Sequence, residues 1–169
     1  MEIGATKAVQ DRLKTTKIEE SKGASLVFCW DTHLTKIKGR NVLFIVNASN
    51  RYTIAMTDIE PRNWNYYAMY IIRVIHGMMQ EMGYSEEQIE QYFKMSGDTT
   101  ITKTHGRKSV GGINRMVMDA QYFGKKLEKE AKYQWELSEY LNRDICQPEG
   151  FDAYGYPNEL FKLDMERLG

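Results

Sequence analysis

Residues 25–57 read SLVFCWDTHLTKIKGRNVLFIVNASNRYTIAMT. Three stretches rich in β-branched and aromatic residues are separated by two short polar turns, Lys38-Gly39-Arg40 and Ala48-Ser49-Asn50. The middle stretch, Asn41 to Asn47, is of strand length and apolar without a break from Val42 to Val46, and Arg51 to Thr57 alternates. Adjacent runs of this kind joined by short turns pair antiparallel, so this part of the chain predicts a three-strand meander.

The period changes downstream. Trp64, Tyr67, Ala68, Ile71, Ile75, Met78 and Met82 recur at spacings of three and four, which predicts an amphipathic helix of roughly six turns. Pro61 suits its first turn and Gly83 stops it. Ser85 and Gln88 stand in capping-box positions for a second helix, SEEQIEQYFKM. DTTITKT (98–104) returns to strand character. Ser109 is expected to cap a long helix reaching about Asn142, its first turn weakened by Gly111 and Gly112. After Pro148 the tail is aromatic, then helical, with Pro157 near the helix start. Upstream of the meander, Thr6 caps a short helix with Val9 and Leu13 inside, and residues 15–24 read as a polar loop.

No repeat, linker or low-complexity tract interrupts the chain. The expectation is one α+β domain over residues 1–169. In it an antiparallel sheet, the meander plus a later strand, packs against several α-helices. The C-terminal part, from about residue 144, is aromatic, acidic and helical. Apolar residues are 42% and charged residues 27%, the composition of a folded protein. No stretch approaches the roughly 20 apolar residues that span a bilayer. The N-terminal MEIGATKAVQDRLK lacks a signal-peptide core, and two cysteines make no bridge framework, so a cytoplasmic setting is expected.

Net charge is zero but segregated. Residues 1–57 carry nine Lys/Arg against five Asp/Glu, and 58–98 carry three against seven. Residues 99–132 carry eight against three, and 133–169 three against eight. Such blocks pair internally on folding, or they form a bipolar surface that meets a charged macromolecule.

The most basic motif is ITKTHGRKSVGGINRM, residues 101–116. A phosphate-binding P-loop needs GxxxxGK[ST]. Here the position five before Gly106 is Ile101 and the residue after it is Arg107, so the motif fails twice. No GxGxxG follows a strand either. What remains is a strand, a basic turn and a helix start, a combination able to hold an anion or nucleic acid. Lys103, Arg107, Lys108, Ser109, Asn114 and Arg115 are the candidate contacts.

On the strand FCWDTHL, alternation puts Cys29, Asp31 and His33 on one face. A thiol, a carboxylate and an imidazole suit a metal or a nucleophile pair. Cys29 and His33 would nonetheless stand roughly 13 Å apart along a strand. His105 or Cys146 would have to complete such a site, and no spacing selects them. No metal or cofactor is expected. His76 lies beside an apolar helical stripe, and the methionines around the helices suit the core. Trp135, Tyr154 and Tyr156, amid acidic residues, suit a protein-facing surface better than a nucleic-acid one, since carboxylates repel phosphate. No GxSxG, HExxH, HxH or CxxC is present.

Several landmarks fall in one order: a Thr-Lys pair near the N-terminus, Trp30-x-x-x-Leu34, the VLFIVN strand and Asn50-Arg51-Tyr52. After these come Thr102-Lys103-Thr104-x-x-Arg107-x-Ser109, Gly111-x-x-Asn114, Leu141-Asn142 and Tyr156-Pro157-x-Glu159-x-Phe161. In these the chain resembles an uncharacterised family of small bacterial proteins, a domain of unknown function with members on phages and plasmids. It departs at Thr32 and His33, where the family more often has a small residue and an asparagine. The resemblance implies a mobile-element setting and no activity. The expectation is therefore a non-catalytic protein that binds a macromolecule, a host nuclease or its nucleic acid, as anti-CRISPR-like inhibitors of defence nucleases do. Two alternatives stand beside it. One is a nucleic-acid-binding accessory or regulatory protein. The other is a small enzyme acting on a phosphorylated substrate through His105, Arg107 and Lys108.

Overall fold

The computed structural model describes residues 1–15 and 18–169, so Thr16 and Lys17 of the expected 15–24 loop lie outside the described residues. The chain opens with a strand its sequence does not announce, β1 (Glu2–Ala5), followed by helix α1 (Lys7–Leu13). Thr6 takes the cap position as expected, but its hydroxyl bonds His33 Nδ1 at 3.1 Å instead of the helix backbone.

The meander forms as read. β2 (Cys29–Ile37), β3 (Arg40–Asn47) and β4 (Thr53–Thr57) pair antiparallel, with Leu34 opposite Leu43 and Ile45 opposite Ile54. Lys38 and Gly39 both take positive φ, as a two-residue hairpin turn requires. The expected later strand is β5 (Thr100–Thr102). It does not extend the meander directly. β1 lies between β2 and β5 and runs parallel to both, so the sheet is mixed, in the order β4-β3-β2-β1-β5.

Helices cover both faces. The predicted six-turn helix divides at Tyr66 into α2 (Pro61–Asn65) and α3 (Tyr67–Glu81). Trp64 stacks flat on Tyr67 across the break, ring centroids 5.4 Å apart. α4 (Glu86–Ser96) begins with the capping box expected of Ser85 and Gln88, both of its bonds formed. Trp30, Leu43, Ile45 and Ile54 of the sheet bury themselves against Ile71, Ile75 and Met79 of α3 and Tyr92 of α4. Trp30 Nε1 donates to the Tyr92 hydroxyl at 2.9 Å, and that hydroxyl donates to Val27 O at 2.7 Å, so no polar atom of the pair is orphaned.

The expected helix from Ser109 to about Asn142 is corrected to two. α5 (Gly106–Gln121) starts earlier, and α6 (Trp135–Asn142) follows an irregular segment. The reason is tertiary. Phe123 and Leu127 turn in to cover the second sheet face with Val42, Phe44, Ile113, Met116 and Leu137. The next residues close the free edge of β4. Thr57 N donates to Lys132 O at 2.7 Å, Gln134 N to Ala55 O at 2.9 Å, and Ala55 N to Ser138 Oγ at 3.0 Å. The Asn142 amide exchanges two 2.8 Å bonds with the Thr53 backbone. An unpaired edge is a liability, and this segment removes it.

The C-terminal helix α7 (Pro157–Leu168) starts at Pro157 as expected and folds back, burying Phe161 beside Trp30 and Tyr52 and Leu160 beside Gly155. Among the described residues no helix is long and apolar enough to cross a membrane.

Candidate functional site

The second sheet face is apolar over β3 and β4 and becomes polar over β2 and β1. Alternation turns Cys29, Asp31 and His33 to this side, as the sequence predicts. Register places Glu2 beside Cys29 and Gly4 beside Asp31. The first turn of α5 lies across them and delivers His105 and Ser109.

His105 Nδ1 stands 2.7 Å from Asp31 Oδ1 and His105 Nε2 stands 3.0 Å from Glu2 Oε2. The three side chains are 3%, 0% and 5% exposed. An ionised carboxylate only accepts, so a ring flanked by two of them donates from both nitrogens and is an imidazolium. Burial on its own draws the His105 pKa down. The bond to Asp31 and the surrounding negative charge outweigh it, and the pKa is pushed up to about 10. Burial likewise opposes ionisation of Glu2. Bonds from Ser21 Oγ at 2.6 Å, Lys22 N at 2.7 Å and His105 prevail and hold its pKa below the ordinary 4.5.

Asp31 completes the start of α5. It accepts from His105 N with both oxygens at 3.2 Å and from the Ser109 hydroxyl. Ser109 is therefore inside the helix and bonded to the sheet, and the expected N-cap role is corrected. No side chain caps this helix, and a buried carboxylate on a neighbouring strand instead accepts the N–H of the cap residue, His105. Gly106, at φ 91°, supplies the turn that brings His105 down onto the sheet.

The remaining basic candidates face outward. Arg107, Lys108 and Arg115, with the polar Asn114, are exposed on α5, and the pairs 107/108 and 114/115 stand two turns, about 10 Å, apart. Most are already engaged. Lys103 pairs with Glu20, Lys108 Nζ donates to Pro148 O at 3.2 Å, and Arg115 pairs with Asp119 at 3.3 Å. Among the described residues Arg107 makes no ion pair. His105 points inward while Arg107 and Lys108 point out, so the three do not converge on one phosphate. The surface grooves of about 610, 580, 490 and 340 Å³ are lined by neither His33 nor His105.

Cys29 and Asp31 meet His105, where the strand's own His33 is instead held by Thr6. Cys146 lies elsewhere, bridging Gly155. Ligand atoms of Glu2, Cys29 and His105 lie within 4.8 Å of one another. Glu2 and Gly4 escape the sequence reading because a strand of four residues shows too few periods to reveal a face. The signal that does point here is the concentration of short motifs between Thr102 and Asn114.

The aromatic candidates are exposed as expected, Trp135 at 42%, Tyr154 at 70% and Tyr156 at 43%. Trp135, Phe123 and Tyr140 line the 610 Å³ groove between α5 and α6. Its lining carries Asp119, Glu136, Glu139 and Asp144 against Lys125 and Arg143; Asp119 pairs with Arg115, Glu136 with Lys125 and Glu139 with Arg143, which leaves Asp144 as the unpaired carboxylate of the groove among the described residues. Ile145 adjoins Asp144. Gly155 bridges Cys146, so Ile145, Tyr154 and Tyr156 share the outward side of that bridge while Cys146 is buried.

The model of a family described as Domain of unknown function (DUF6933) matches residues 2–160, and the chain belongs to that family. No curated protein and no solved structure matches it.

Proposed function

We propose that this member of the family is a non-catalytic binding protein whose partner is another protein, held on the aromatic, acid-rimmed surface of α6 and the Cys146–Gly155 bridge. The carrying observation is the groove itself, with Trp135 and Tyr140 open to solvent inside a rim of net negative charge. Rigid aromatic anchors in a concave patch are what bind a protein partner tightly, and the rim sets the sign of the partner. That sign is positive. Nucleic-acid enzymes present such surfaces where they hold phosphate backbones. The specific partner proposed is accordingly a bacterial defence nuclease, inhibited by occupation of its basic channel.

The test mixes the purified chain with a panel of defence nucleases, with and without guide RNA, and reads binding and cleavage. The expected result is inhibition of at least one nuclease, weakened tenfold or more by Trp135→Ala or by Tyr154→Ala with Tyr156→Ala. Arg107→Ala with Lys108→Ala leaves it unchanged. No binding and no effect on cleavage across the panel sinks the inhibitor reading.

A second reading has one observation in its favour, the exposed row Arg107, Lys108, Asn114 and Arg115 along α5. It makes the chain a nucleic-acid-binding accessory or regulatory protein. The sensitivity of binding to Arg107→Ala and Lys108→Ala, against Trp135→Ala, separates the two.

A further inference from the structure

We infer that Glu2, Cys29 and His105 form a zinc-type divalent metal site, with Asp31 as the residue that orients its histidine. The partner surface plays no part in this inference, which stands or falls independently of it. Among the described residues these three converge from three elements, β1, β2 and the turn into α5, and their ligand atoms lie within 4.8 Å of one another. Tetrahedral zinc, with bonds of roughly 2.0 to 2.3 Å, sets its ligand atoms about 3.3 to 3.6 Å apart. His105 Nε2 and Glu2 Oε2 are already 3.0 Å apart, and the Cys29 sulfur lies within 4.8 Å of the ligand atoms of both residues.

The donor set is selective. One thiolate, one imidazole and one carboxylate suit borderline-soft Zn²⁺ and Co²⁺ and do not suit Mg²⁺ or Ca²⁺, which take oxygen. The second layer has the arrangement metal-bound histidines require. Asp31 receives the other ring nitrogen, Nδ1, at 2.7 Å, which fixes the ring and leaves Nε2 toward Glu2 and Cys29. Gly4 leaves room for this, since any side chain there meets Asp31 and His105.

Thiol and imidazole bind a metal as their deprotonated forms, so uptake of the ion releases protons to solvent. The exposed residues Ser21 and Lys22 bond the Glu2 carboxylate and fix it in place.

The test uses the full chain without a polyhistidine tag, stripped with chelator and titrated with Zn²⁺ and separately with Co²⁺. The expected result is one ion per chain and, with Co²⁺, a thiolate-to-cobalt charge-transfer band. Cys29→Ser abolishes the band, Glu2→Gln weakens binding, and Asp31→Asn weakens it roughly 10- to 100-fold. Folded wild-type protein that takes up no stoichiometric ion overturns the inference. So does uptake of Co²⁺ without the thiolate band, or uptake indifferent to Cys29→Ser. The wild-type spectrum decides alone if a variant fails to fold.

Discussion

A methyl group on Gly4 would stand 1.8 Å from Asp31 Oδ1 and 3.1 Å from His105 Nδ1. Neither neighbour can yield, because Asp31 also holds His105 N and Ser109. Gly4→Ala is therefore expected to cost about 3 kcal/mol or more, from overpacking and a disturbed buried ion pair, read as a lower urea midpoint at unchanged m. Ser109 gives a second test at this scale. Aspartate is a good N-cap, so Ser109→Asp would be tolerated if Ser109 capped the helix. Bonded to Asp31, the same change sets carboxylate against carboxylate and is expected to destabilise strongly, more than the roughly 1.5 to 3 kcal/mol expected of Ser109→Ala. Thermal unfolding of the two variants distinguishes the roles. The histidine adds a pH signature in chelator-treated protein. His105 keeps its proton to about pH 10 when folded and to about its ordinary 6.5 when unfolded. Its stabilisation is complete below pH 6.5 and drains away as pH rises toward 10. Glu2 acts at the other end. Its share is complete above its ordinary 4.5 and is lost as pH falls through the depressed folded value. In His105→Gln the alkaline loss is expected to flatten, measured by denaturation at several pH values.

At the scale of elements, α6 and the segment before it are edge protection for β4 rather than a continuation of α5. Asn142→Ala leaves the N–H and C=O of Thr53 without partners at a buried edge, an expected loss of about 2 to 3 kcal/mol. Amide exchange at Thr53 and Ala55 should rise more than at Trp30, which sits in the sheet centre. The periodicity of residues 109–142 could not reveal the break. KKLEKEAK has good helix propensity, and propensity yields where a segment satisfies another element's backbone. The capping box at Ser85 and Gln88 shows the opposite case. It is local, its partners are three residues apart, and it forms as read.

At the scale of the molecule, the segregated charge blocks partly neutralise one another across elements. Lys103 meets Glu20, Lys132 meets Glu60 and Lys125 meets Glu136. The basic block of residues 99–132 is thus less available than its composition implies. If the chain binds duplex DNA through Lys103, Arg107, Lys108 and Arg115, the two that make no ion pair among the described residues, Arg107 and Lys108, predict a slope of log affinity against log salt of about −2. Four free phosphate contacts would give about −4. Gel shifts across salt concentrations measure the difference, and a steep slope would favour the nucleic-acid reading over the acid-rimmed groove.

What depends on neighbours along the chain is legible before any fold is known: the meander with its Lys38-Gly39 turn, the capping box, Pro157 at the start of α7, and the shared face of Cys29 and Asp31. Period, turn chemistry and cap spacing act over a few residues, so they can be read without a fold. Which residues join that face depends on contacts between distant parts of the chain. Glu2 and His105 are more than a hundred positions apart, and their meeting depends on β1 inserting between β2 and β5. Four residues of β1 carry no periodic signal of their own. They become a strand because neighbours on both sides satisfy their backbone, and that pairing energy is written in no local stretch of the chain.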